Sequence, residues 1–558
     1  MTSPTLDTLA GEVSGPALMQ DVTEFAKRVK LSGTSEELES FKYLKKQAES
    51  YGYTTELILH DAYISLPGNA HVEVDGQTLD SNTHSFSRPS PAGGLRAKLV
   101  YLGEGTAADF ANSDVRDKIV LVEGIASPAV AARASAAGAL GQLHISPNEY
   151  RYEMCISPVW GSPSRERLER LPTTVVCTIS NPDGAVLRDR LEKGEAPDVA
   201  LFAEVDTGWR KTPILVAELL PANAPDDTPY VLFSGHHDTW YYGVMDNGSA
   251  NATMLETARV LAGHRDLWRR GLRLCFWSGH SHGRYSGSAW YVDENWDDLE
   301  RRCIAHVNVD STGGIGANVL TASGVSSELA MLARDEIEAV SGQIHAGKRS
   351  ARSADASFWG VGIPSMFGSM SHQALTPGKM RNALGWWWHT PHDTIDKIDE
   401  ANLVRDTKVF VRVIWRLLTD RVLPLHQASQ VETLLAELAP LTGVALDELV
   451  KAVETLRDKM ATARAQAEAG GDAERINAAM LRVARALVPL DYTEGDRFQH
   501  DAALPMPAWP VLQPLRDLTA IADGDERAFA AVEARRARNR VLHALRQANT
   551  ALDLALSR

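Results

Sequence analysis

Three short apolar runs constrain this chain more than anything else in it. Tyr230–Phe233, Leu272–Trp277 and Ile304–Val309 are rich in aliphatic, β-branched and aromatic side chains, and each ends in a polar turn. Runs of that length and make-up read as buried strands. After the first run, Ala252, Leu255, Ala258, Val260 and Leu261 fall at helical spacing over residues 249–263. Strand, helix and strand in succession predict a mostly parallel sheet covered by helices, and such sheets place their sites beyond the carboxyl ends of the strands. Gly362–Met366 reads as one further short strand.

The turns that follow these runs carry metal-binding side chains. From Ser234 to Asn247 the chain reads S-G-H-H-D-T-W-Y-Y-G-V-M-D-N, offering His236, Asp238 and Asp246. The second turn, S-G-H-S-H-G-R-Y-S-G-S from Ser278, offers His280 and His282, and the third opens on Asp310. Further on, G-W-W-W-H-T-P-H-D-T from Gly385 supplies His389, with Asp393 and Thr394 expected to cap a helix that begins near Leu403. Imidazole and carboxylate donors together suit a borderline divalent cation such as zinc. Three adjacent tryptophans are costly to expose and are expected to wall a pocket or an interface.

With 558 residues the chain exceeds what one hydrophobic core supports, so two or three domains are expected. Helical spacing over 14–50, broken at Ser32-Gly33-Thr34, predicts two helices, and alternation over 53–67 predicts a strand. Near residue 68 the composition shifts to short strands, glycines and prolines. One clear strand–helix unit stands in that stretch, D-V-R-D-K-I-V-L-V-E-G from Asp114 followed by A-V-A-A-R-A-S-A-A-G-A-L-G from Ala129. From about residue 420, Ala, Leu, Glu and Arg at helical spacing predict a bundle. The expected division is 1–67 and 214–420 for a catalytic domain, 68–213 for an insert, and 421–558 for a helical domain. The basic cluster Arg535-Arg536-Ala537-Arg538 reads as a solvated helix face.

A net charge of −15 argues against nucleic acid as a partner, since phosphate binding rests on clustered Lys and Arg. No run approaches the ~20 apolar residues of a membrane helix, and the first residues lack the basic start and apolar core of a signal peptide, so a cytoplasmic protein with no membrane partner is expected. Cys155, Cys177, Cys275 and Cys303 have no finger-type spacing and read as reduced core residues.

Taken together, G-H-x-D, D-N, a tryptophan followed by a polar turn to G-S, N-x-D and W-x-H-T-P-x-D-T resemble the zinc-dependent M28 peptidases. Within them the chain resembles the branch of glutamate carboxypeptidase and the transferrin receptor, because the unit from Asp114 is similar to a protease-associated domain and a helical tail follows. The resemblance implies an α/β fold: a mostly parallel mixed sheet sandwiched by helices, with an inserted β-rich protease-associated domain and a C-terminal helical domain. It also implies two zinc ions, with His236 and Asp310 on one, Asp246 bridging, His389 on the other, and Asp238 orienting His236. One or two Zn2+ are expected, and Mn2+, Fe2+ and Ni2+ remain open. A homodimer built on the helical tail is expected, acting on a small-molecule or short peptide-like substrate.

The second turn departs from that family, which carries two consecutive glutamates there, a general base and a metal ligand. Counted forward from Trp277 the pair falls on His280 and Ser281; counted back from Gly287-Ser288 it falls on Ser281 and His282. His282 is assigned as the replacement ligand and His280 as the proton carrier, with the exchange of these two roles left open, and Tyr285 as a donor to a developing oxyanion. Arg284 and Arg381 are candidates for clamping a substrate carboxylate, and Trp388 for a wall of the substrate site. Three functions compete: a metal-dependent hydrolase of an amide or peptide-like substrate, a repurposed metalloenzyme such as a C–N lyase, and a non-catalytic binding homologue.

Overall fold

The computed structural model describes residues 4–375, 383–442 and 445–557. Among them, eight strands form one large mixed sheet and five form a smaller one. The large sheet runs Ser365–Ser369, Cys303–Asp310, Tyr230–His236, Gly271–Trp277, Val199–Leu219, Thr54–Val74 and Gln77–Asp80, with the short Leu95–Arg96 also paired to Val199–Leu219. Its first four strands are parallel, with Tyr230–His236 in the centre, paired to Gly271–Trp277 on one side and Cys303–Asp310 on the other. Every residue of the central strand is buried, as expected where helices cover both faces. On one face the helices Gly15–Phe25, Ser35–Ser50, Ala250–Ala262 and Glu400–Thr419 pack Phe25, Phe41, Leu255 and Phe410 against Val231, Phe233 and Leu274. On the other, Tyr291, Val292, Phe358 and Ile363 meet Leu232, Cys275 and Trp277. The four cysteines are buried free thiols.

Val199–Leu219 and Thr54–Val74 form a two-stranded antiparallel ribbon of 21 residues per strand, about 70 Å if fully extended. Leu215 and Ala217 lie in the core of the large sheet, while Val72, Val74, Val199 and Leu201 lie in the core of the smaller one. The ribbon passes through the position near 68 where the composition shifts, with only a register irregularity between Pro67 and Ala70. The smaller sheet has four parallel strands, Leu99–Tyr101, Ile119–Glu123, Gly141–Ile145 and Val175–Ile179, edged by the antiparallel Asn82–Thr83. Beyond residue 420 come Gln427–Leu438, Asp447–Glu468, Ala473–Tyr492, Gln513–Ala520 and Asp525–Leu556, packed around their own apolar cluster. No helix among the described residues is long and apolar enough to cross a membrane.

Candidate metal centre

The carboxyl ends of three adjacent parallel strands deliver His236, the turn after Trp277, and Asp310 to one place. Asn247 ties two of those ends together: its amide donates to the carbonyls of His236 (3.1 Å) and Val309 (3.2 Å), and its oxygen accepts from Ser311 N (2.9 Å). The turn carrying Asp246 is held from below by Asp393, whose carboxylate accepts from Met245 N (2.9 Å) and Asp246 N (3.0 Å). Asp393 is therefore not the cap of the following helix; that place is taken by Asp399, which accepts from Asn402 N. Gly243 lets the turn close, since a Cβ there would fall 2.3 Å from Asp246 O in a backbone already at φ 51°.

Asp246 stands between two imidazoles. Its Oδ1 is 3.1 Å from His236 Nε2 and its Oδ2 is 3.0 Å from His389 Nε2, while Asp310 Oδ2 is 3.9 Å from His236 Nε2. The other nitrogen of each ring is committed elsewhere: His236 Nδ1–H donates to Asp238 O (2.8 Å) and His389 Nδ1–H to Glu153 O (2.6 Å). A ring that donates through Nδ1 is left with a bare lone pair on Nε2 when neutral. His236 Nε2 is buried and makes no aligned hydrogen bond despite its nearness to two carboxylates. Lone pairs turned toward carboxylates repel, so the arrangement calls for a positive charge between them, either a proton or a metal ion. Burial disfavours charge on His236, but Asp246, Asp310 and Asp238 outweigh it and raise its pKa to about 10. For Asp310, burial and the like charge of Asp246 push the carboxyl up. These features fit a divalent cation.

His280 shares the design. Its Nδ1–H donates to Asp355 Oδ2 (2.6 Å), and its ring stacks on that of His236 at 3.7 Å. One ring nitrogen each of His236 and His280 and one oxygen of Asp310 lie within 4.8 Å of one another. His282, expected as a ligand, lies deeper than His280. It is fully buried against Trp240, with Nδ1 2.9 Å from Ser32 Oγ and Nε2 without a hydrogen bond, and it does not line the cavity. The cause is the path of the turn, in which His282 O accepts from Ser65 N and the chain then bends through left-handed Arg284 and Tyr285. Burial lowers the pKa of His282, keeping it neutral.

Asp238 also departs from its expected part. Its backbone carbonyl orients His236, while its carboxylate, 3.8 Å from His236 Nδ1, accepts from Ser32 Oγ, His280 N and Ser281 N. Burial opposes its charge, yet His282, His236 and His280 hold its carboxyl well below the usual range. Asp238 thus fixes the backbone of the second turn from beneath.

A cavity of about 370 Å³ opens above the cluster, lined among others by His280, Asp310, Arg284, Tyr285, Trp388 and His389. Tyr285 lies edge-on to His280 at 4.9 Å, and Trp388 stacks on His389 at 3.5 Å. Of the other two tryptophans, Trp387 is buried against Met245, and Trp386 stacks on Tyr150. Among the described residues Arg284 has no ion pair, and its Nε is buried without a hydrogen bond. Arg381 lies outside the described residues. Asp355 and the carbonyl of Glu153 are the functional groups that spacing does not reveal; neither has a sequence signature.

Comparison with known proteins finds relatives of the fold. The fold is shared with an aminopeptidase from Aneurinibacillus sp. (21% identity, TM-score 0.56, 74% of this chain and 96% of that one). It is shared equally with a zinc aminopeptidase from Bacillus subtilis (20%, 0.56, 73% and 96%) and a peptidase M28 precursor from Shewanella amazonensis (19%, 0.60, 75% and 97%). A probable glutamate carboxypeptidase of Zea mays is 36% identical over 91 residues, 16% of this chain and 13% of its own length. One of Arabidopsis thaliana is 23% identical over 365 residues, 53% and 51%. The chain thus spans about half or less of the length of these curated relatives. Residues 215–414, which hold the parallel strands and every histidine of the cluster, match the model of peptidase family M28.

Proposed function

We propose that this chain is a metal-dependent hydrolase of an amide bond in a small, carboxylate-bearing substrate, with His280 as the proton carrier. One observation carries the reading: His236, His280 and His389 all donate Nδ1–H outward, and the bare Nε2 atoms of His236 and His389 face Asp246. His236 and Asp310 would hold one cation, His389 a second, and Asp246 would lie between them. Zinc suits these donors, and one of the proteins that share the fold is a zinc aminopeptidase. When bound, the metal supplies Lewis acidity toward a carbonyl oxygen and lowers the pKa of water.

His280 is set apart from the other two histidines because its Nδ1–H is held by a carboxylate, Asp355, where theirs are held by backbone carbonyls. Asp355 holds its tautomer, so Nε2 is the basic nitrogen, able to take a proton from the attacking water and return it to the leaving amine. Tyr285 stands beside it as a hydrogen-bond donor to the developing oxyanion. Arg284, unpaired on the cavity wall, fits a substrate carboxylate, in keeping with the relatives described as probable glutamate carboxypeptidases.

The test is turnover of a panel of acidic dipeptides and N-acyl amino acids in ¹⁸O-water, with metal content measured on the same protein. Hydrolysis places solvent oxygen in the product acid. Product without ¹⁸O would make the chain a C–N lyase, and stoichiometric metal with no turnover of any substrate would make it a binding homologue. His280→Ala is expected to lower kcat by roughly 10²–10⁴ while metal is retained.

A further inference from the structure

Far from the metal centre, a cleft of about 720 Å³ lies where the helices Ala473–Tyr492 and Asp525–Leu556 meet the end of the helix Trp296–Arg302. Arg482, Arg485, Arg497, His543 and Arg546 line it, and Glu300 is its single carboxylate among the described residues. A neighbouring cleft of about 280 Å³ shares Glu300, Arg482 and Arg485 and adds Arg270, Arg301 and Glu474. The chain as a whole has 57 Lys and Arg against 72 Asp and Glu, so the local balance is reversed.

Glu300 faces both Arg485 and Arg497, whose hydrogen bonds otherwise go to carbonyl groups. Arg485 donates to the carbonyls of Glu300 (2.8 Å), Gly362 (2.9 Å), Leu299 (3.3 Å) and Cys303, and Arg497 to those of Gly360 and Val361 (2.9 Å each). Carbonyl oxygens satisfy the hydrogen bonds of a guanidinium without neutralising it. Arg482 and Arg546 are exposed and have no ion pair among the described residues. Burial lowers the pKa of Arg485, and the nearby Glu300 only partly offsets it. Converging guanidiniums over a low-dielectric floor focus a positive potential into the cleft.

We propose that this cleft is a binding site for a phosphate-bearing small molecule. The exposed Arg482 and Arg546 supply the planar guanidinium forks that match phosphate oxygens in pairs, while Arg485 and Arg497, engaged by carbonyl groups, add charge behind them. The volume falls in the range of small-molecule sites. A bound anion would join the two helices to the loop at Gly360–Gly362, which the arginines already hold.

Calorimetric titration of the full, metal-loaded chain with fructose 1,6-bisphosphate and with inorganic phosphate tests this. One bisphosphate per chain is expected, bound at least about tenfold more tightly than inorganic phosphate and more weakly as salt is raised. The exposed double variant Arg482→Ser/Arg546→Ser should lose at least about tenfold in affinity for the bisphosphate. Equal affinity in the two proteins would place the anion elsewhere, at the metal for instance, and overturn the proposal. So would the absence of saturation below about 10 mM.

Discussion

Two histidines, one on a strand of each sheet, are buried to a similar depth and lie in opposite fields. In the smaller sheet, His144 sits between Gly124 O (3.2 Å) and the Gln142 amide (3.3 Å), and burial lowers its pKa to about 4. His84, against Thr178 Oγ1, is lowered to about 3 for the same reason. In the larger sheet His236 is as deeply buried, yet its carboxylate neighbours raise it to about 10. Depth does not make the difference. His144 has only neutral groups beside it, the Gly124 carbonyl and the Gln142 side-chain oxygen, whereas His236 gives one nitrogen to a carbonyl and turns the other toward Asp246 and Asp310. A strand end becomes a site when a lone pair and a carboxylate are held facing each other with something still to come between them.

The sharpest way to break this contrast is Asp246→Asn, which keeps the shape and removes the charge that both Nε2 atoms face. Loss of bound metal and about 10³-fold in kcat/KM are expected; retention of both would leave the two sheets indistinguishable. A smaller effect follows from Asp355→Asn, which keeps the size of the group that holds His280 but unsettles the tautomer. A fall of roughly 10–100-fold in kcat, with KM and metal content little changed, is expected. An unchanged kcat would remove Asp355 from the mechanism.

The smallest effect on activity belongs to the other sheet. His144→Gln should alter kcat by less than about twofold and change only the dependence of stability on pH. With a folded pKa of about 4 against 6.5 when unfolded, His144 takes up its proton in the unfolded chain first as the pH falls. Its neutral form therefore supports the fold fully above pH 6.5 and loses that support between 6.5 and about 4, by up to about 1.4 kcal/mol per pH unit. Urea unfolding at pH 7 and pH 5 should show a shallower fall in the variant; an identical fall would mean that His144 titrates normally in the fold.

What the sequence discloses follows from what these interactions are made of. The strand ends are legible because an apolar run and a polar turn have different compositions, which places His236, Asp246 and Asp310; His389 stands in a loop that follows no such run and is implied only by the family resemblance. The Nδ1 partners are not legible, because two of them are backbone carbonyls, of Asp238 and Glu153, and any residue has one. Asp355 lies 75 positions from His280 and is brought to it by packing alone. The roles of His280 and His282 depend on a turn that bends at Arg284 (φ 50°) and Tyr285 (φ 70°), conformations that counting along the chain does not anticipate. The long ribbon is hidden for a related reason, since composition changes midway along strands that the backbone continues.

That ribbon bears on how such a chain could have been assembled. Val74 pairs with Val199, so the 124 residues between them, which carry the whole smaller sheet, begin and end at neighbouring points of one hairpin. A segment attached in this way could be gained, lost or exchanged without re-threading the sheet, with a tight turn as the ancestral connection. Here the segment also reaches the cluster, because the Glu153 carbonyl that accepts from His389 Nδ1 belongs to it. Any exchange of the segment between relatives would have to restore that one contact, whatever else it changed.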